Sequence, residues 1–252
     1  LTNVMGVRAT NSDNVIFNGE ITDLEGSNAI SLNKAKARLD AQGRIHDNEC
    51  GTAVVYLRDG SELKIYGKIN DNKSAVGTNC AALYIVKNGD VSHAVLEDRG
   101  EICGNVNKGT KYGSAVEVQQ GTCSFTMNGG KITGNKGPMG AIQVHKGDAR
   151  FIMNGGTVTE NEAIGNVVAE AGVYLSDTDF PSAELKAGTL QSITVGSKVR
   201  SRLEKGNVYL ADGFRLLSGK IAMEQGPKTV APEEPELKLG NASTQSITLL
   251  TE

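Results

Sequence analysis

Apolar residues in this chain fall in short alternating groups separated by glycine-rich turns, with no 3.6-residue helical spacing between them. The clearest triplets are Val55-Tyr56-Leu57, Leu83-Tyr84-Ile85, Val116-Glu117-Val118, Ile142-Gln143-Val144, Val173-Tyr174-Leu175 and Val208-Tyr209-Leu210. In a strand the flanking aliphatics of each triplet face inward and the central residue faces outward. A second signal is an apolar pair running into glycines. It is sharpest in Phe125-Thr126-Met127-Asn128-Gly129-Gly130-Lys131-Ile132-Thr133-Gly134-Asn135 and Phe151-Ile152-Met153-Asn154-Gly155-Gly156-Thr157-Val158-Thr159-Glu160-Asn161, with fainter copies at 39–48, 63–72 and 96–105. The aliphatic after the glycines (Ile45, Ile69, Ile102, Ile132, Val158) makes a third inward position.

In all five copies an Asn follows that aliphatic by three residues, at Asn48, Asn72, Asn105, Asn135 and Asn161, with spacings of 24, 33, 30 and 26. Three inward stretches per repeat, at periods in the twenties to low thirties, predict an all-β, single-stranded parallel β-helix of about seven to eight coils. Glycines supply the crowded corner conformations. The Asn residues are expected to adopt left-handed turn geometry and to pass amide hydrogen bonds from coil to coil, a structural ladder.

The ends are less regular. Residues 15–21 read as a degenerate first coil in which Leu24 replaces the turn Asn, and residues 29–32 as its second strand. Residues 89–94 and 176–183 are predicted loops. The phrase dissolves over 192–205 and resumes at 208–221. One β-helix domain is expected over 1–225. Residues 226–252, with Pro232-Glu233-Glu234-Pro235, are expected to form a linker, with 245–250 as a possible closing strand.

Composition suits a thin stacked core: aromatics are 4%, Trp is absent and there are 31 glycines. A net charge of -3 with scattered Lys and Arg points away from nucleic acid, and no apolar run is long enough to predict membrane insertion. Leu1 to Thr10 lacks a signal-peptide core, so the chain is expected to be either a mature fragment or a cytosolic chain, with a segment trimmed from a larger surface polypeptide the favoured reading. Cys50, Cys80, Cys103 and Cys123 have neither C-x-x-C spacing nor a nearby His at zinc-ligand intervals, so no metal or cofactor is expected. Cys50 and Cys80 precede successive triplets, where they could stack on adjacent coils or be buried separately.

The outward residues of the triplets define a column of Ser31, Tyr56, Tyr84, Glu117, Gln143, Tyr174 and Tyr209. Tyrosines so placed offer flat faces to sugar rings, or else only cover the sheet. Hydrolysis of a glycosidic bond needs two carboxyl groups close together, for which Glu117 with Glu101 or Asp98 are the catalytic candidates. Asp47 and Asp71, each beside a ladder Asn, read better as solvated turn residues. His46, His93 and His145 are scattered and accompany no nucleophile motif.

The phrase Phe-x-Met-Asn-Gly-Gly-x-Ile-x-Gly-Asn, followed by Gly140-Ala141-Ile142-Gln143-Val144, resembles the repeats of right-handed parallel β-helix regions in bacterial (gut and oral) cell-surface proteins, many adhesin-like. The resemblance covers about residues 39–175. It implies a right-handed coil and a secreted, extracellular or cell-wall attached location. Comparable coils occur in polysaccharide lyases, pectin-type glycosidases and the lacto-N-biosidase family, so the fold leaves activity open. The expectation is a non-catalytic spacer or adhesin that contacts a glycan or host surface ligand along the tyrosine column. The alternative is a carbohydrate-active enzyme, a glycoside hydrolase, with Glu117 as acid or nucleophile in a groove walled by the 89–94 and 176–183 loops.

Overall fold

A computed structural model describes residues 6–79, 81–164, 171–176, 179–196, 199–200, 206–223, 237–239 and 248–250. Every regular element among them is a β-strand. Successive turns of chain pair in parallel, each above the last, which makes the fold a parallel β-helix.

The triplets build the first sheet. Val7, Ile30, Val55, Leu83, Val116, Ile142, Val173, Ile193, Ile221 and Leu249 are in-register partners. This column is longer than seven to eight coils because its rungs at Val7, Ile193 and Leu249 lie where the repeat phrase is missing. The apolar pairs form a second sheet, with Leu39, Ile65, Leu96, Met127, Met153 and Leu185 stacked in order. Ile21, Ile45, Ile69, Ile102, Ile132 and Val158 stack in a third. Their inward side chains meet in one apolar core. Within it the rings of Phe125 and Phe151 stack 5.9 Å apart, nearly parallel.

A short fourth side follows the ladder turn, through Glu25–Gly26, Glu49–Cys50 and Lys73–Ser74, and again through Lys136–Gly137 and Glu162–Ala163. Val106 bridges Lys73 and Lys136. The turn itself corrects one expectation: the left-handed residue is the one before the Asn. Asp47 (φ 54), Asp71 (φ 55), Gly104 (φ 66), Gly134 (φ 66) and Glu160 (φ 59) hold that conformation. This reversal turns the following Asn inward, and all five ladder Asn are buried.

The ladder is continuous. The Nδ2 of Asn48, Asn72, Asn105 and Asn135 each donates to the Oδ1 of the next Asn, at 2.8, 2.9, 2.9 and 3.0 Å. Each backbone N–H donates to the same oxygen, at 3.1, 3.2, 3.1 and 3.0 Å. At one end the Leu24 N–H donates to Asn48 Oδ1, so the Leu that interrupts the motif still joins through its backbone. At the other end Gln191 closes the row: its Oε1 accepts from Asn161 N–H and its Nε2 donates to Asn161 O.

Several boundaries differ from expectation. His93 and Ala94 are in the strand His93–Leu96, with Ala94 buried between Leu63 and Phe125, because Ala94 and Leu96 meet the second sheet's inward alternation. Ala183 likewise belongs to the strand Ser182–Leu190. Leu237–Leu239 extends the second sheet, and Thr248–Leu250 adds a strand to the first within the 245–250 segment expected to supply one. Pro232 to Pro235 and Cys80 lie outside the described residues. Cys50 and Cys123 are buried, and Cys103 is half-buried.

Candidate functional site

The outward column of the first sheet runs Arg8, Ser31, Tyr56, Tyr84, Glu117, Gln143, Tyr174 and Thr194, in register. Six of the seven expected members are therefore neighbours. Tyr209 is not: it stands on the second sheet beside Glu184. The rung after Tyr174 is Ile193-Thr194-Val195, an apolar-polar-apolar triplet followed by Gly196, in the stretch where the repeat phrase dissolves. Alternation of this kind fits an outward position on any sheet and does not say which sheet a triplet joins.

The column's middle is covered, contrary to the expectation of exposed tyrosines. Tyr84, Tyr174, Gln143 and Glu117 are 8%, 7%, 4% and 0% exposed. A strap at residues 107–113 packs over Tyr84 and Glu117. Asn107 Nδ2 donates to the carbonyls of Lys111 and Tyr112, and Asn79 Oδ1 accepts from the N–H groups of Thr110 and Lys111. Tyr112 holds a left-handed φ of 73, unusual for a bulky residue. Its ring meets Tyr84 edge-on at 5.1 Å, and Tyr84 in turn lies 5.3 Å from Tyr56. The Tyr84 hydroxyl donates to Gln119 Oε1 at 3.0 Å, and burial raises its phenol pKa above the ordinary range.

Glu117 sits beneath this strap. Its Oε2 accepts from the Gly113 N–H at 3.2 Å, and its Oε1 lies 3.3 Å from His145 Nδ1. Burial pushes the carboxyl upward; the His145 and Gly113 contacts pull it back only in part. The folded chain thus keeps this proton to higher pH than the unfolded chain does. The resulting stability is fully present below about pH 4.3 and is lost as pH rises through the folded value. Glu117→Gln removes that slope. In urea unfolding between about pH 4 and about pH 8, the variant is expected to gain on the parent as pH rises. Parallel curves would contradict the assignment.

The other carboxyl candidates stand elsewhere. Glu101 begins a third-sheet strand and pairs with Lys68 at 2.8 Å. Asp98 lies in the turn between the second and third sheets, against Gly129. Neither shares the first-sheet face with Glu117. Asp47 Oδ2 contacts His46 Nδ1 and Asp71 Oδ2 accepts from Asn70 Nδ2, both at 2.7 Å, as turn residues do. His93 Nδ1 lies 2.8 Å from Ser124 Oγ, with Glu62 in register on the other side of His93. This row stands on the outer face of the second sheet, with His93 and Glu62 exposed. Among the described residues no group of three His, Cys, Asp or Glu could hold a metal ion.

An open cleft lies at the other end of the column. About 290 Å3 in volume, it is lined by Gly6, Val7, Arg8, Ser27, Asn28, Ser31, Thr52, Tyr56 and Arg58. Arg8, Ser31 and Tyr56 rise on three successive rungs, roughly 4.8 Å apart. Arg58 lies two residues beyond Tyr56 and so faces the same way, with its guanidinium carbon 5.9 Å from the Tyr56 ring centroid. Arg58 was readable as Tyr56's companion by that alternation. Arg8 was not, since no repeat phrase accompanies it. Compared with family models, curated proteins and solved structures, the chain matches none.

Proposed function

We propose that this protein is a non-catalytic β-helical module of a bacterial surface protein, displayed outside the cell, that holds a glycan or host-surface carbohydrate on one face. The open cleft at Tyr56 carries this reading. It combines an aromatic face with hydroxyls from Ser31 and Thr52, the mixture a sugar ring requires. Tyr56 is held by its contact with Tyr84, which is itself fixed by Tyr112, so the platform is rigid before a ligand arrives.

The resemblance of the repeats to bacterial surface proteins supports the setting. The burial of Glu117 against His145, away from Glu101 and Asp98, weighs against the glycoside hydrolase alternative. Tyr84 and Tyr174, being buried, support the sheet more than they offer contact surface.

Tyr56→Ser is expected to weaken retention on a glycan array by at least about tenfold while moving the thermal midpoint by only a few degrees. A folded variant that is retained as well as the parent would remove the carbohydrate reading. Release of shortened sugars by the intact chain would instead favour the hydrolase.

A further inference from the structure

We infer that the sugar held in this cleft carries an acidic group, as a pyranose bearing a carboxylate or sulfate does. The inference rests on the carbohydrate-binding reading of the same cleft and specifies its ligand class. Among the described residues the cleft is lined by two guanidinium groups, Arg8 and Arg58, and by no carboxylate. That local balance opposes the chain's net charge of -3.

Both cations are available to a ligand. Among the described residues Arg8 enters no ion pair. Arg58 has, among the described residues, one acidic partner, Asp59, whose Oδ2 is 4.0 Å from Nε, beyond hydrogen-bond length. Among the described residues Arg58 Nε has no hydrogen-bond partner and is shielded from solvent, while 28% of the side chain stays exposed for a ligand. A charged donor held this way gains from an incoming anion, because its own hydration is already reduced.

The geometry suits a ring with an acid at its edge. Arg8 stands two rungs from Tyr56, a backbone span of roughly 10 Å, and the Ser31 hydroxyl lies between them. Arg58 flanks the tyrosine from within the same strand. A pyranose can lie against Tyr56 with its ring hydroxyls toward Ser31, while a carboxylate or sulfate in the ring plane reaches one guanidinium fork. At about 290 Å3 the cleft is near the lower limit for small-molecule sites, which fits about one sugar unit.

The test is a binding titration of the full chain with oligosaccharides ending in glucuronic acid, sialic acid or sulfated galactose. Each is paired with a neutral counterpart, its carboxyl reduced to an alcohol or its sulfate removed. At least one acidic probe is expected to bind, with its neutral counterpart weaker by roughly 10- to 100-fold. Arg8→Gln and Arg58→Gln should each erode that preference, Arg58→Lys should retain part of it, and rising salt should weaken the acidic probe selectively. Equal binding of acidic and neutral probes, or folded arginine variants that keep the full preference, overturns the acidic ligand. If Tyr56→Ser still abolishes binding in that case, carbohydrate recognition itself stands. Binding of no probe, or unchanged binding by Tyr56→Ser, overturns both.

Discussion

Asn105→Leu is expected to lower the unfolding free energy by about 2–5 kcal/mol, because a near-isosteric apolar side chain removes five hydrogen bonds from a buried corner. The Asn105 amide donates to Ile69 O, Cys103 O and Asn135 Oδ1, and its oxygen accepts from Asn72 N–H and Nδ2. Some of these groups keep another partner: Asn72 Nδ2 also reaches Ile45 O and Asn70 O, and Cys103 O also accepts from Asp71 N–H. Among the described residues the Asn72 backbone N–H has no such second partner, so the substitution leaves it unpaired.

Asn105→Asp makes a sharper test at nearly constant shape. It keeps an acceptor, loses both amide donors and turns a carboxylate toward the Asn135 oxygen, so it should also destabilise. Asn154 provides the control. Its Nδ2 donates to Asn128 Oδ1 in an exposed corner row, and Asn154→Asp there should cost no more than about 0.5 kcal/mol. Urea unfolding monitored by circular dichroism separates these cases. An Asn105→Leu chain as stable as its parent would falsify the ladder's role.

The second large effect is expected at the ring stack. Phe151→Ala should cost about 3–5 kcal/mol, from lost burial and the cavity left behind. Phe125 and Phe151 occupy adjacent rungs, with Ala94 below and Ala183 above in the same inward column. The small rungs make room for the two rings, and a narrow core has few neighbours able to move into the gap. Phe151→Leu, which keeps more of the volume, should cost less. Because each coil contacts mainly its neighbours, hydrogen exchange should quicken most near the altered rung. A uniform increase along the chain, or a midpoint equal to the parent's, would contradict this account.

Both effects concern positions that were legible before any coordinates. The three sheets were readable because alternation and glycine spacing are local properties, and the apolar residues they mark have no burial other than against the next coil. The ladder was readable for the same reason: one side chain type recurs at one place in the turn. Gln191 was harder to find, since its longer side chain reaches the Asn161 backbone from a position outside the motif.

What the chain's own pattern determined, then, is the β-helix, its inward face and its Asn row, all consequences of interactions between equivalent residues on consecutive turns. Only the tertiary structure decided which outward residues meet solvent. That depends on where the longer connections between Asn and triplet fold back, and their path is set by irregular contacts such as Asn79 with Thr110 and Lys111. The strap they fix covers Tyr84 and Glu117 and leaves Tyr56 beside Arg8 and Arg58. Tyr209 illustrates the same division: its strand was legible, but its sheet was decided by how many residues the preceding coils consumed.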